Sequence, residues 1–199
     1  MPGGNDLRPV LRVYSHGMTT ASFQALVRAV IDDSVANTWA DAVLEWEVDG
    51  LEEDPRGLGM CVCGQPNLVQ LFTIRNTRNG NVLFPIGSKC VHQFEVKELD
   101  QQVNVLSDLL RLRTAINDGK FVTLTSEYFT RALLEFLYDE GAFPPDQWNG
   151  GDGEVDVDFL LKMFNKRDKD AITPPQRRKI RALLMTKVFP FVQAYQRVR

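Results

Sequence analysis

The sequence predicts an α+β chain, mostly helical, with one small β-hairpin near its middle. Three observations carry this expectation. Apolar residues recur at helical spacing over most of the chain. Two short runs rich in β-branched and aromatic residues flank Asn79-Gly80, a strong hairpin signal. The three cysteines of the chain, Cys61, Cys63 and Cys90, bracket that hairpin.

Taken in order, the elements read as follows. Thr20 or Ser22 caps a helix through Phe23, Leu26, Val27, Val30 and Ile31, and a second helical stretch covers 35–46. Residues 68–76 and 81–86 are strands joined by Thr77-Arg78-Asn79-Gly80. Beyond them Leu99, Val103, Leu106, Leu109, Leu110, Leu112 and Ile116 form a helical stripe that stops before Asp118-Gly119. Thr125 or Ser126 starts the next helix, with Phe129, Leu133, Leu134, Phe136 and Leu137 inward. The loop 141–153, rich in Gly, Pro and Asp, is the clearest punctuation. A short helix near 157–164 and a longer one from about Pro174 follow. Three segments result: an N-terminal helical segment 1–55, the hairpin 56–97 and a C-terminal helical region 98–199, with room to pack as one unit.

The cysteines lie in Cys61-Val62-Cys63-Gly64 and Gly87-Ser88-Lys89-Cys90-Val91-His92. An odd number in so short a window is a poor disulfide framework, and Cys61 and Cys63 are too close to bridge each other comfortably. Thiolates with an imidazole suit Zn²⁺, which is tetrahedral and closed in structural sites. A hairpin returns the chain to its start, so Cys90 arrives beside Cys61 and Cys63, and Gly64 lets the backbone turn tightly after the pair. The expected feature is a zinc-stapled hairpin, zinc-ribbon-like, with a structural Zn²⁺ on Cys61, Cys63, Cys90 and His92. His92 follows Cys90 as Cys63 follows Cys61; His16 is the rival fourth ligand. The competing reading is three inert buried thiols, packed as small hydrophobes.

Over about residues 42–97 the chain resembles a cysteine-ribbon segment recurring in uncharacterised phage and bacterial zinc-ribbon proteins. Those proteins share a C-x-C-G pair, an I-x-N-x-x-T/N-G hairpin and a G-S-x-C half with an aromatic soon after. Here the motif is carried by Cys61-Val62-Cys63-Gly64, Ile74 to Gly80, and Gly87-Ser88-Lys89-Cys90 with Phe94. Glu45-Trp46 is similar to the element preceding that ribbon, and Thr173-Pro174-Pro175-Gln176 resembles a helix start near the end of such proteins. The resemblance implies that Cys61, Cys63 and Cys90 hold metal and that the chain is of phage or mobile-element type. It implies no activity and no fixed fourth ligand.

Charge is unevenly placed. Residues 41–54 hold seven acids and no Lys or Arg. After Asp170 there is no acid, yet Arg177, Arg178, Lys179, Arg181, Lys187, Arg197 and Arg199 supply seven cations, a polarity that the net charge of -3 hides. Cations in the first turns of a helix oppose its dipole, so this cluster does not serve its own helix. One reading is a phosphate-contacting surface of Arg177, Arg178, Lys179 and Arg181, extended by Arg75, Arg78 and Lys89, with Phe72 either a stacking platform or a core residue. The other is arginines paired to acids or simply solvated.

No apolar run reaches the roughly 20 residues of a membrane span, which argues against a membrane partner. Met1-Pro2-Gly3-Gly4-Asn5-Asp6 shows no basic stretch feeding an apolar segment, and metal-bound thiols fit a reducing compartment, so the expected location is cytoplasmic. Residues 152–158 fail the carboxylate spacing of a calcium loop, and Glu45 and Glu47 beside Trp46 make no general acid–base pair without a cleft. No nucleophile elbow, phosphate loop or zinc-deaminase pattern is present. The leading expectation is therefore a non-enzymatic, zinc-stabilised accessory protein that binds DNA or RNA. The alternative is a protein-interaction module, such as a phage factor that modulates a host protein through its acidic stretch, and a metal-dependent hydrolase ranks third.

Overall fold

The computed structural model describes residues 19–198. Thr19, one residue before the expected caps, starts α1 (Thr20–Asp32) by accepting the Ser22 N–H on its hydroxyl. Phe23, Leu26, Val27 and Val30 form its buried face, as their spacing requires.

The stretch 35–46 is not one helix. A single turn, α2 (Trp39–Ala42), and a 3-10 turn (Val43–Glu45) lead straight into β1 (Trp46–Glu53). Trp46, Val48 and Leu51 point inward, and a register shift between Val48 and Gly50 puts Leu51 back on the buried face. The acids between them face out, so alternation rather than helical spacing governs this segment.

β1 pairs antiparallel with β2 (Gln70–Asn76), which pairs antiparallel with β3 (Val82–Ile86), in the order β1-β2-β3. The expected hairpin is thus two strands of a three-stranded sheet. Its connection runs over 77–81: Asn76 Oδ1 accepts the N–H groups of Arg78 and Asn79, and Gly80 takes the positive φ of +78°. Phe72 is fully buried opposite Leu51, which makes it a core residue and removes it as a stacking platform.

One side chain ties this sheet to the helical entry. Glu45 is 3% exposed, yet its carboxylate accepts four hydrogen bonds. Val35 N–H (2.7 Å) and Asn76 Nδ2 (2.8 Å) reach Oε2, while Ala36 N–H and the Arg78 guanidinium reach Oε1 at 2.9 Å each. Its backbone carbonyl takes the N–H and hydroxyl of Thr77. Burial works against the charged form, but the bonds from Asn76, Val35 and Ala36 and the charge of Arg78 outweigh it and hold the carboxyl below its ordinary value.

Two compact units divide inside α4 (Lys97–Asn117), between Asn104 and Val105. The first holds α1, the sheet and α3 (Ser88–His92), so β1 from the N-terminal segment and the hairpin belong together. In the second, Thr130 rather than Thr125 or Ser126 caps α5 (Arg131–Asp139); Phe129, Leu133, Leu134 and Leu137 are buried and Phe136 is half-buried. Next come α6 (Glu154–Phe164) and α7 (Pro174–Leu183). Thr173 and Gln176 close a reciprocal capping box, with Pro174 where no helical N–H is needed. A π-helical turn (Leu184–Val188) precedes α8 (Phe189–Ala194), next to Pro190, which has no N–H to donate. Among the described residues no helix is long and apolar enough to cross a membrane.

Glu45→Gln removes the charge and turns one acceptor into a donor, and is expected to lower Tm by several degrees at about pH 7. A carboxyl held below its unfolded value of 4.5 stabilises the fold above that pH and loses this contribution as pH falls through the folded value. The gap between wild type and variant should therefore narrow as pH falls through the folded value. Paired thermal melts across that range check it; a gap independent of pH contradicts it.

Candidate metal centre

The site is assembled by three local devices. Residues 61–65 form a tight turn, closed by Cys61 N–H on Gln65 O (2.8 Å) and Gly64 N–H on Cys61 O (2.7 Å). Gly64 takes a φ of +83°, which favours glycine at this position. Val62 N–H donates to Pro85 O (3.0 Å), anchoring the turn to β3. From the end of β3 the chain enters α3, and Cys90 lies in its first turn.

The three sulfurs converge. Cys90 Sγ lies 3.4 Å from Cys61 Sγ and 3.3 Å from Cys63 Sγ, and all three fall within 4.8 Å of one another. Each side chain is almost fully buried, and none is in a disulfide. Hydrogen bonding with Cys90, joined by the N–H groups of Cys63 and Gly87, holds the Cys61 thiol down at about 5 against the effect of burial. The Gly87 N–H lies 3.3 Å from its sulfur. Burial pushes the Cys63 thiol up, and Cys61 together with burial pushes Cys90 up. Burial and the neighbouring sulfurs thus oppose ionisation of Cys63 and Cys90 beside a Cys61 thiolate, an opposition that a bound cation would remove. A buried group of three thiols at this spacing can bind a metal ion. In tetrahedral zinc sites, with zinc–sulfur bonds of about 2.3 Å, sulfurs sit roughly 3.8 Å apart, so these need only a small outward shift.

His92 is not brought to the sulfurs. Its Nδ1 instead lies 2.6 Å from Asp100 Oδ1. The expected parallel with Cys61-Val62-Cys63 fails because 61–65 is a turn, whereas Cys90 and His92 lie in one helix. Residues two apart in a helix diverge by about 200°. His16 lies outside the described residues. Among the described residues no fourth Cys, His, Asp or Glu atom joins the group.

The acidic and basic stretches are each partly neutralised close to home. Arg75 pairs with Asp49 at 2.8 Å and Arg78 with Glu45. Asp54 accepts the Leu58 and Arg56 N–H groups, which pull its carboxyl down and make it part of the loop's frame. In the second unit Lys179 pairs with the buried Asp156 at 3.4 Å and lies over the Phe159 ring. Arg177 donates to the carbonyls of Ile172 and Lys169. Lys89, Arg178 and Arg181 are exposed. Missing from the sequence expectation were Lys162, Lys166, Arg167 and Lys169, which precede α7; their signal was present but was hidden by the neighbouring Asp168 and Asp170.

Comparison with protein-family models, with curated proteins and with solved structures finds no match to this chain.

Cys63→Ser is expected to abolish stoichiometric metal binding and to lower Tm by roughly 10 °C, the scale on which loss of a structural site acts. Elemental analysis and melting of wild type and variant, each purified without added metal, check this. Equal metal content and equal Tm would leave three inert thiols as the correct description.

Proposed function

We propose that the chain is a non-enzymatic, zinc-stabilised, nucleic-acid-binding accessory protein of phage or mobile-element type, working in the cytoplasm. Zinc is favoured by the soft, all-sulfur donor set, which suits neither Mg²⁺ nor Ca²⁺. Its role is to hold the turn 61–65 against the start of α3. A reducing location is consistent with three unpaired thiols.

The observation that carries the nucleic-acid reading is the positive corner formed by the end of α6, the 165–173 loop and the start of α7. Residues 162–181 hold eight cations against two carboxylates, and of the eight Lys179 is paired with Asp156. Lys166, Lys169 and Arg177 donate to main-chain carbonyls, which orders them without cancelling their charge. Arg178 and Arg181 face solvent beside them. Ordered, uncancelled cations are what phosphate contacts require. The hairpin arginines drop out of this surface, since Arg75 and Arg78 already face carboxylates.

A second reading, docking on another protein, has one specific observation behind it. Leu58 and Met60, on the loop leading to Cys61, are 69% and 62% exposed, close in sequence to the exposed Glu52 and Glu53.

Titration of labelled DNA and RNA at about 50 and 200 mM salt separates the two readings. Binding should collapse at the higher salt. Arg178→Ala with Arg181→Ala should flatten the salt slope by about 2, one for each phosphate no longer neutralised, while Arg75→Ala leaves it unchanged. Absence of binding at low salt overturns the nucleic-acid reading and favours the protein one.

A further inference from the structure

A tetrahedral zinc site takes four donors, and the described residues bring three together. Structural sites with three thiolates are completed by a fourth cysteine or by a histidine. This sequence holds three cysteines and two histidines, so the completing group of that kind is a histidine. His92 is engaged elsewhere: its Nδ1 lies 2.6 Å from Asp100 Oδ1, and two residues along α3 it leaves the helix on a different face from Cys90. His16 is the other histidine. Within 1–18 it is accompanied by a single carboxylate, that of Asp6.

The first unit brings the chain to its cysteine end. At the hairpin tip, Asn79 Nδ2 (2.9 Å) and Asn81 Nδ2 (3.1 Å) donate to the carbonyl of Asp33, the C-cap of α1. The cysteines sit at the opposite end of the hairpin, where Val62 N–H meets Pro85 O and β3 passes into α3. The 13 residues of α1 cover about 20 Å, close to the length of strands of five to seven residues. Near its start, Phe23 packs edge-on against Trp39, with 5.7 Å between ring centroids, and Trp39 packs against Phe94 at 5.4 Å. Phe94 N–H in turn reaches Val91 O (3.0 Å), just past Cys90. α1 therefore runs from the α3 end of the unit to the hairpin tip. The chain enters it on the side of the sulfurs. His16 precedes Thr19 by three residues, which is about 10 Å of extended backbone.

We infer that His16 is the fourth ligand, completing a closed site with Cys61, Cys63 and Cys90. The inference rests on the zinc reading of the three sulfurs and adds the residue that finishes the set. Ligation of this kind fastens the start of α1 to the turn 61–65 and to α3, so the ion joins three stretches of chain rather than two.

The test uses the full chain as purified. Zinc affinity is measured by competition with a chromophoric chelator, and the ligand shell is read by X-ray absorption. Wild type is expected to show three sulfurs and the multiple-scattering pattern of one imidazole. His16→Ala should remove that pattern and weaken zinc binding at least about 100-fold, since loss of an outer-shell partner alone costs roughly 10- to 100-fold. His92→Ala should leave both readouts unchanged. His16→Cys should restore tight binding with four sulfurs, which separates a lost ligand from a lost fold. No imidazole in the wild-type shell, or unaltered affinity in His16→Ala, would overturn the inference while leaving the three-sulfur site standing. Loss of the imidazole pattern in His92→Ala would overturn it in favour of His92. A chain that takes up no zinc at all would overturn the zinc reading together with this inference.

Discussion

Three buried sulfurs, two of them 3.3–3.4 Å from that of Cys90 and all within 4.8 Å of one another, form the constraint on which the first unit depends. Such a group is unfavourable as three thiolates and gains little as three thiols, since the Gly87 and Cys63 N–H groups point at Cys61 sulfur as they would at an anion. A divalent cation would resolve the conflict, because it would let all three ionise. Local geometry brings the three sulfurs together. Val62 on Pro85 fixes the turn 61–65 to β3, and the short step from β3 into α3 delivers Cys90 to it. The β2–β3 hairpin is the spacer that makes residues 29 apart in sequence meet.

Elsewhere, buried charge is handled in the same manner: each ionised group is fully surrounded by donors or acceptors. Glu45 knits the 34–38 bend to the hairpin tip, and the Asp156–Lys187–Asp146 group knits the 144–153 loop to the π-helical turn. These networks combine hydrogen bonds with opposite charge, because burial of unpaired charge costs several kcal/mol. They also explain why the stretches of opposite charge along the sequence do not produce two bare surfaces. Several acids of 41–54 and several of the late cations, Lys179 and Lys187 among them, are consumed locally, while Arg178 and Arg181 stay exposed.

Much of this was legible in the residues alone. The cysteine cluster, the hairpin, the long stripe of α4 and the start of α7 at Thr173-Pro174 each rest on local spacing or capping chemistry, which needs no tertiary knowledge. What escaped was set by distant contacts or by a change of backbone state. Residues 46–53 alternate, but outward acids and Gly50 conceal the period, and only pairing with β2 makes it a strand. His92 mimics a metal-ligand spacing that a turn would satisfy and a helix does not. Arg75 and Arg78 look like free cations until β1 brings Asp49 and the preceding turn brings Glu45 beside them.

X-ray absorption at the zinc edge of the protein as purified decides whether the three sulfurs hold a metal, since it counts ligands by element. The expected spectrum is that of zinc with three sulfurs at about 2.3 Å and one lighter donor, N or O, completing the tetrahedron. Absence of zinc, or a first shell of N and O donors only, would contradict this: Cys61, Cys63 and Cys90 would then be buried thiols whose convergence has no metal behind it.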